Sequence, residues 1–257
     1  MKPDISEFSY GYALTSELIR SFQLRSVGAP VFPSLIQEGK VGYDVQIPGI
    51  PIFLQFKLSD RMVKGTAKQS YILGIPHFRM HLRPLRHSDQ HNLLIELENS
   101  GYPVFYAAPE FSTATELNRA YDQGLVAQET AFWSPCEIGN LPDQGDHYIA
   151  FRKGDPIGYL CSEPVEVKKV PIKILIYERV KPQTLSPRAR IPSHEYFNDI
   201  TKFLVELYKR ERPFRSPFEE GSVLEQSDRD PQEKSALIAQ FLYGCSILFA
   251  FRNVDNS

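Results

Sequence analysis

The chain has 257 residues, 42% of them hydrophobic and 23% charged, with a formal net charge of -2. That composition excludes a disordered or collagen-like chain and fits an ordinary globular protein, either one large domain or a core of roughly 110 residues with a substantial extension. Cys136, Cys161 and Cys245 are far apart and odd in number, which argues against a disulfide framework or a cysteine-rich zinc site and for a reducing, cytoplasmic compartment. The opening MKPDISEFSY carries acids and no apolar run, so it is not read as a secretory signal.

In chain order, the first expected element is a helix over Tyr10 to Leu24. Leu14, Leu18, Ile19 and Phe22 form its apolar stripe, Thr15 or Ser16 lies near its start, and Glu17 lies beside the stripe. Gly28, Pro30 and Pro33 end it, and Val31 to Ile36 is a short strand candidate. GYDVQIPGIPIFLQFKLS then reads as a β-hairpin, because Tyr43 to Ile47 alternates, Pro48-Gly49 is a turn signal, and Ile52 to Leu58 alternates again. Alternation puts Ile52, Leu54, Phe56 and Leu58 on an apolar face, and Gln55 and Lys57 together on the other, within reach of Asp44 on the expected partner strand.

A basic connecting segment leads to a helix over Ser88 to Asn99, with Ser88 as N-cap and Leu93, Leu94 and Leu97 inside. Pro103 to Ala108 reads as a buried strand, followed by a helix over Thr113 to Gln128. His147 to Phe151, Ile157 to Cys161 and Ile172 to Tyr177 are strand candidates, SPRARIPSHEY is a loop, and Tyr196 to Lys209 is an amphipathic helix. Arg212 to Asp230 reads as a linker. Ala236 to Phe251 is 16 residues long and contains Gln240. It is shorter than the roughly 20 residues of a membrane span, so a buried helix is expected and no membrane association. The division predicted is a core over 1–112 and a mixed α/β C-terminal extension over 113–257, packed on the core or apart from it.

The polar pair on the second hairpin strand has a chemical consequence. Magnesium-assisted phosphodiester hydrolysis requires oxygen ligands for the ion and a cation near the scissile phosphate. Asp44 supplies an anionic oxygen, the Gln55 side chain and the Phe56 backbone carbonyl supply neutral ones, and Lys57 supplies the cation. Glu17, from the first helix, is the candidate second carboxylate.

This order of elements resembles the restriction-endonuclease-like PD-(D/E)XK superfamily over about residues 8 to 110: a helix with Glu17, then GYD, then Gln-Phe-Lys eleven residues after Asp44 on an apolar strand, then a helix and the strand PVFYAA. The resemblance implies a mixed α/β (α+β) fold with an αβββαβ core. It also implies Mg2+-dependent nuclease activity, with Mn2+ able to substitute, on DNA more than on RNA. Glu17, Asp44, Gln55 and Lys57 become the expected catalytic residues, with Asp44, Gln55, the Phe56 carbonyl and Glu17 around the metal, and Gln90 as an auxiliary residue. Tyr43 replaces the motif's Pro. Gln55 replaces its Asp or Glu, which removes one negative charge from the metal site, although QxK branches of the superfamily are active.

Between Lys57 and Arg86, seven basic residues oppose the single acid Asp60, a local +6 on a chain that totals -2. Arg61, Lys64, Lys68, Arg79, Arg83 and Arg86, beside Lys57, are therefore candidate contacts to a phosphate backbone; the alternative is a solvated basic loop. His77/His81 and His87/His91 repeat i, i+4 spacing, but Pro76 and Pro84 bracket the first pair, which disfavours a zinc site. Phe132, Trp133, Tyr148 and Tyr159 are base-stacking candidates, with the core as the preferred location. Three functional readings remain open on sequence: a nuclease, in the setting of a bacterial defence or mobile-element system; an inactive nuclease-fold module binding nucleic acid or protein; and a scaffold subunit whose apolar C-terminal helix docks on a partner. A protein partner through the C-terminal half and a homo-oligomer are both allowed.

Overall fold

The computed structural model describes residues 1–21, 50–66, 69–87, 90–162, 164–171, 174, 194–211, 230–239 and 246–250. In chain order these form α1 (Glu7–Ser21), β1 (Ile50–Phe56), β2 (Ser59–Met62), α2 (Ser70–Leu73), β3 (His77–Leu82), α3 (Gln90–Asn99), β4 (Val104–Pro109), α4 (Ala114–Gln123) and β5 (Thr130–Trp133). There follow α5 (Pro135–Ile138), β6 (His147–Phe151), β7 (Ile157–Leu160), β8 (Val165–Lys168), α6 (His194–Glu211), α7 (Pro231–Ile238) and β9 (Ser246–Ala250). The chain is thus mixed α/β. No helix among the described residues is long and apolar enough to cross a membrane.

The strands form two sheets, one ordered β5-β4-β1-β9 and the other β2-β3-β6-β7-β8. In the first, β1 runs parallel to β4, with Gln55 opposite Tyr106, and antiparallel to β9, with Ile50 opposite Ala250 and Leu54 opposite Ser246. The second is antiparallel throughout. Each sheet draws strands from both sides of position 112, so the chain is not cut there into a core and a separate extension.

The alternation expected of β1 decides its two environments. Ile52, Leu54 and Phe56 pack with Tyr10, Leu14 and Leu18 of α1 and with Phe105 and Phe132. Phe53, on the other face, joins Val104 and Tyr106, Leu93, Leu94 and Leu97 of α3, Phe78 and Met80 of the second sheet, and Ile200 and Leu204 of α6. Sheet one therefore has α1 on one side and α3 with the second sheet on the other. Gly158 of β7 shows how close the layers lie, because a Cβ there would meet the Trp133 ring at 2.7 Å and the Ala150 carbonyl oxygen at 2.9 Å. Gly158→Ala is expected to cost about 1–3 kcal/mol by overpacking, read as a lower denaturant midpoint; an unchanged midpoint would contradict the packing described.

Several expectations need correction. A strand has two hydrogen-bonding edges, and those of β1 are taken by β4 and β9. The place assigned to the partner strand of the hairpin is thus occupied by residues 246–250. Val31 to Ile36, Tyr43 to Ile47 and with them Asp44 lie outside the described residues, as do Ser88, Lys68, most of 172–193 and 212–229. The apolar stretch from Ala236 is not one helix: α7 ends at Ile238, and Ser246–Ala250 is strand, since a continuous apolar run satisfies a buried strand as well as a buried helix. The basic segment is not a connecting loop either. It contains β2, α2 and β3, with His77 and His81 on a strand and so not on one helical face. The helix expected over Thr113 to Gln128 is shorter, Ala114–Gln123, bounded by a Thr113–Glu116 capping box and by Gly124 in the left-handed conformation.

Candidate active site

Lys57 follows the last residue of β1, and its amide donates to the Ala107 carbonyl at 2.9 Å, extending the parallel ladder by one step. Its ammonium donates to Oε1 of Gln90 at 3.4 Å. Gln90 is the first residue of α3, which packs on the face of sheet one that carries Phe53, Gln55 and Lys57. The structure therefore brings together Lys57 and Gln90, two residues 33 positions apart that were singled out in the sequence.

Gln55 is buried on the same face. Its Nε2 donates to the Phe56 carbonyl at 3.1 Å, while its Oε1 is buried without a hydrogen-bond partner among the described residues. A buried amide oxygen left unpaired costs about 1–3 kcal/mol, so this atom is suited to a water or a cation. Next to it in register, Tyr106 bonds to His91, whose Nδ1 lies 3.0 Å from the Tyr106 hydroxyl and whose Nε2 lies 2.8 Å from the Gly139 carbonyl oxygen. A carbonyl only accepts, so Nε2 carries the proton and Nδ1 accepts from Tyr106.

Burial pushes the His91 pKa below its ordinary 6.5, against the opposing pull of the Gly139 hydrogen bond, and nearby His147 lowers it further. The unfolded chain then binds a proton that the folded one resists. Stability is expected to fall as pH drops through about 6.5 and to keep falling until the depressed folded value is reached. Denaturant midpoints measured between neutral and mildly acid pH should show this slope, and His91→Gln should flatten it; an equal slope in the variant would contradict the assignment.

The Lys57 end of β1 opens into a cleft of about 940 Å³, whose lining includes Glu7, Asp60, Arg79, Arg83, His87 and Tyr148. Its charge is not all available. Asp60 is bound by Lys2 at 3.0 Å and by Arg79 at 3.2 Å. Elsewhere in the basic run, Arg61 pairs with Glu116 at 3.0 Å and Arg86 with Asp146 at 3.2 Å. Lys64 is exposed outside the cleft. Arg83 has no ion-pair partner among the described residues. The run thus contributes Lys57, Arg79 and Arg83 to the cleft rather than a uniform basic face.

The aromatic candidates for base stacking are engaged. Trp133 and Phe132 are in the core. The Arg79 guanidinium lies 4.2 Å over the Tyr148 ring, and His81 lies beside that ring at 4.8 Å. The Tyr159 hydroxyl donates to Glu166 at 3.2 Å.

Glu17 does not join Gln55 and Lys57. It is 4% exposed, and its carboxylate accepts from the backbone amides of Val126 at 2.7 Å and Ala127 at 3.1 Å. The reason is the side of the sheet: α1 covers the face of Ile52, Leu54 and Phe56, whereas Gln55 and Lys57 emerge from the other.

Sequence reasoning missed Glu7. The helix begins one turn earlier than expected, because the Ser6 hydroxyl accepts from the Ser9 amide at 3.0 Å and so caps it. The signal was present as a serine followed by an acid. Glu7 is exposed as a residue and lines the cleft together with Lys57 and Leu58. Burial of its carboxyl pushes the pKa above the ordinary value, against the lowering effects of Lys57 and of the Leu58 hydrogen bond.

For a divalent oxygen-seeking ion, the neutral part of the donor set fits. Rotating the Gln55 amide by half a turn would place its oxygen near 3.1 Å from the Phe56 carbonyl, and an octahedral ion with bonds of about 2.1 Å sets neighbouring ligands about 3 Å apart. Among the described residues no group of three or more His, Cys, Asp or Glu side chains could hold a metal. Comparison with known proteins gives no match: no family model matches the chain, and no curated protein or solved structure resembles it significantly.

Proposed function

We propose that the cleft at the end of β1 is a phosphodiesterase site and that the chain is a metal-dependent nuclease, with the PD-(D/E)XK arrangement as its closest description. The observation that carries this reading is the lysine of a Gln-Phe-Lys strand end, hydrogen-bonded to Gln90 and lining a cleft that also presents Arg79 and Arg83. A cation at that place faces any phosphate entering the cleft and stabilises the charge that develops on its oxygens during displacement. Gln90 would orient the ammonium, and Arg83 would hold a neighbouring phosphate of the same strand.

Gln55, the Phe56 carbonyl and Asp44 are the proposed holders of Mg2+ or Mn2+. When bound, the ion would polarise the phosphoryl group and lower the pKa of a coordinated water. DNA is the preferred substrate, with RNA tested beside it. A second reading, a module that binds nucleic acid without cutting it, is favoured by one observation: Glu17 is committed to two amides and leaves the metal with one acid fewer than expected.

The experiment that separates them incubates the full chain with plasmid DNA, single-stranded DNA and RNA in Mg2+ or Mn2+. Cleavage that a chelator abolishes supports the nuclease. Mobility shifts without cleavage support the binding module, and neither effect overturns both.

A further inference from the structure

We propose that Glu7 is the general base of the cleft, accepting a proton from the water that attacks phosphorus across from Lys57. This rests on reading the cleft as a phosphodiesterase site, and it adds a residue that the order of elements did not suggest.

Three observations carry it. First, the cleft has two carboxylates among its described lining, and Asp60 is locked by Lys2 at 3.0 Å and Arg79 at 3.2 Å. An acid held by two cations is a poor proton acceptor. Glu7 lines the same cleft as Lys57 and Leu58 and is not held by two cations among the described residues, so its carboxylate can accept from water. Second, Glu7 stands at the first position of a capped 15-residue helix packed against β1, so its backbone is fixed relative to Lys57. Third, Glu7 is reached by solvent while its carboxyl is partly desolvated. Partial burial makes a carboxylate a stronger base, and access to water supplies its substrate.

The step balances with Glu7 and solvent. One O–H bond of water breaks, its proton passes to a carboxylate oxygen of Glu7, and the water oxygen bonds to phosphorus. The bond from phosphorus to the leaving oxygen breaks, and that oxygen takes a proton from solvent water. Loss of the proton from Glu7 to solvent restores the carboxylate, so one water is consumed per diester cut.

The test compares wild type, Glu7→Gln, Glu7→Ala and Lys57→Ala on the nucleic acid that wild type cuts. Glu7→Gln keeps the shape and cannot take the proton, so kcat should fall about 10²–10⁴-fold with KM and gel-shift affinity unchanged. Glu7→Ala should fall equally and regain part of its rate when formate is added, a recovery that a structural role would not show. If Lys57→Ala is inactive while Glu7→Gln keeps the wild-type kcat, the base assignment is overturned and the nuclease reading stands. A loss confined to KM also overturns it. If wild type cuts nothing, the nuclease reading fails and the base assignment with it.

Discussion

Lys57→Ala is expected to lower phosphodiester cleavage by about 10²–10³-fold or more in kcat, the loss typical of removing one preorganised donor to developing charge. Affinity for nucleic acid should fall far less. Arg79 and Arg83 still line the cleft, and one phosphate contact is a small part of a polyelectrolyte interaction. The fold should survive, because Lys57 is half-buried at the strand end and its backbone amide keeps its bond to Ala107. Lys57→Arg should not restore the rate, since a guanidinium fork does not reproduce the compact point charge of an ammonium. Steady-state kinetics on a defined substrate, with binding measured separately, decides it. A variant that binds weakly but turns over at the wild-type kcat would make Lys57 an anchoring residue and remove the main support for catalysis.

The second large effect is on stability. Glu17→Ala should cost about 2–5 kcal/mol, because it strands two buried amides, each worth about 1–3 kcal/mol when left unpaired. Val126 and Ala127, whose amides Glu17 holds, are themselves buried. Glu17→Gln should cost less, since an amide oxygen can still accept from one of the two amides. Were Glu17 a metal ligand, alanine would instead abolish activity and leave the metal-free protein as stable as before, or more so. Urea unfolding of the metal-free protein, with activity measured in parallel, separates the two roles. An unchanged midpoint would return Glu17 to the candidate ligands and overturn its structural assignment.

These two residues also mark how far the site was legible. Gln55 and Lys57 share a face because side chains alternate along any extended chain, a local property that holds whatever the neighbours are. Gln90 was legible as the residue that opens α3. Glu17 was legible as an acid beside an apolar stripe, yet its partners lie 109 and 110 positions away, and nothing local names them. Glu7 was missed because the helix start was placed at Tyr10, when Ser6 already supplied a capping hydroxyl.

By itself the sequence determined the local elements: the alternating β1, the capped α4, the amphipathic α6 and the buried β4. Their periods and caps are written within a few residues and need no distant partner. Only the tertiary structure decided which strand lies beside β1. A strand edge accepts any backbone, so residues 246–250, read locally as part of a helix, occupy the place assigned to the strand that carries Asp44. The same distinction governs the charges. A local excess of seven basic residues over one acid was visible in the chain. That Glu116 and Asp146 would come from distant elements to pair with Arg61 and Arg86, leaving the cleft to Lys57, Arg79 and Arg83, was settled by packing alone.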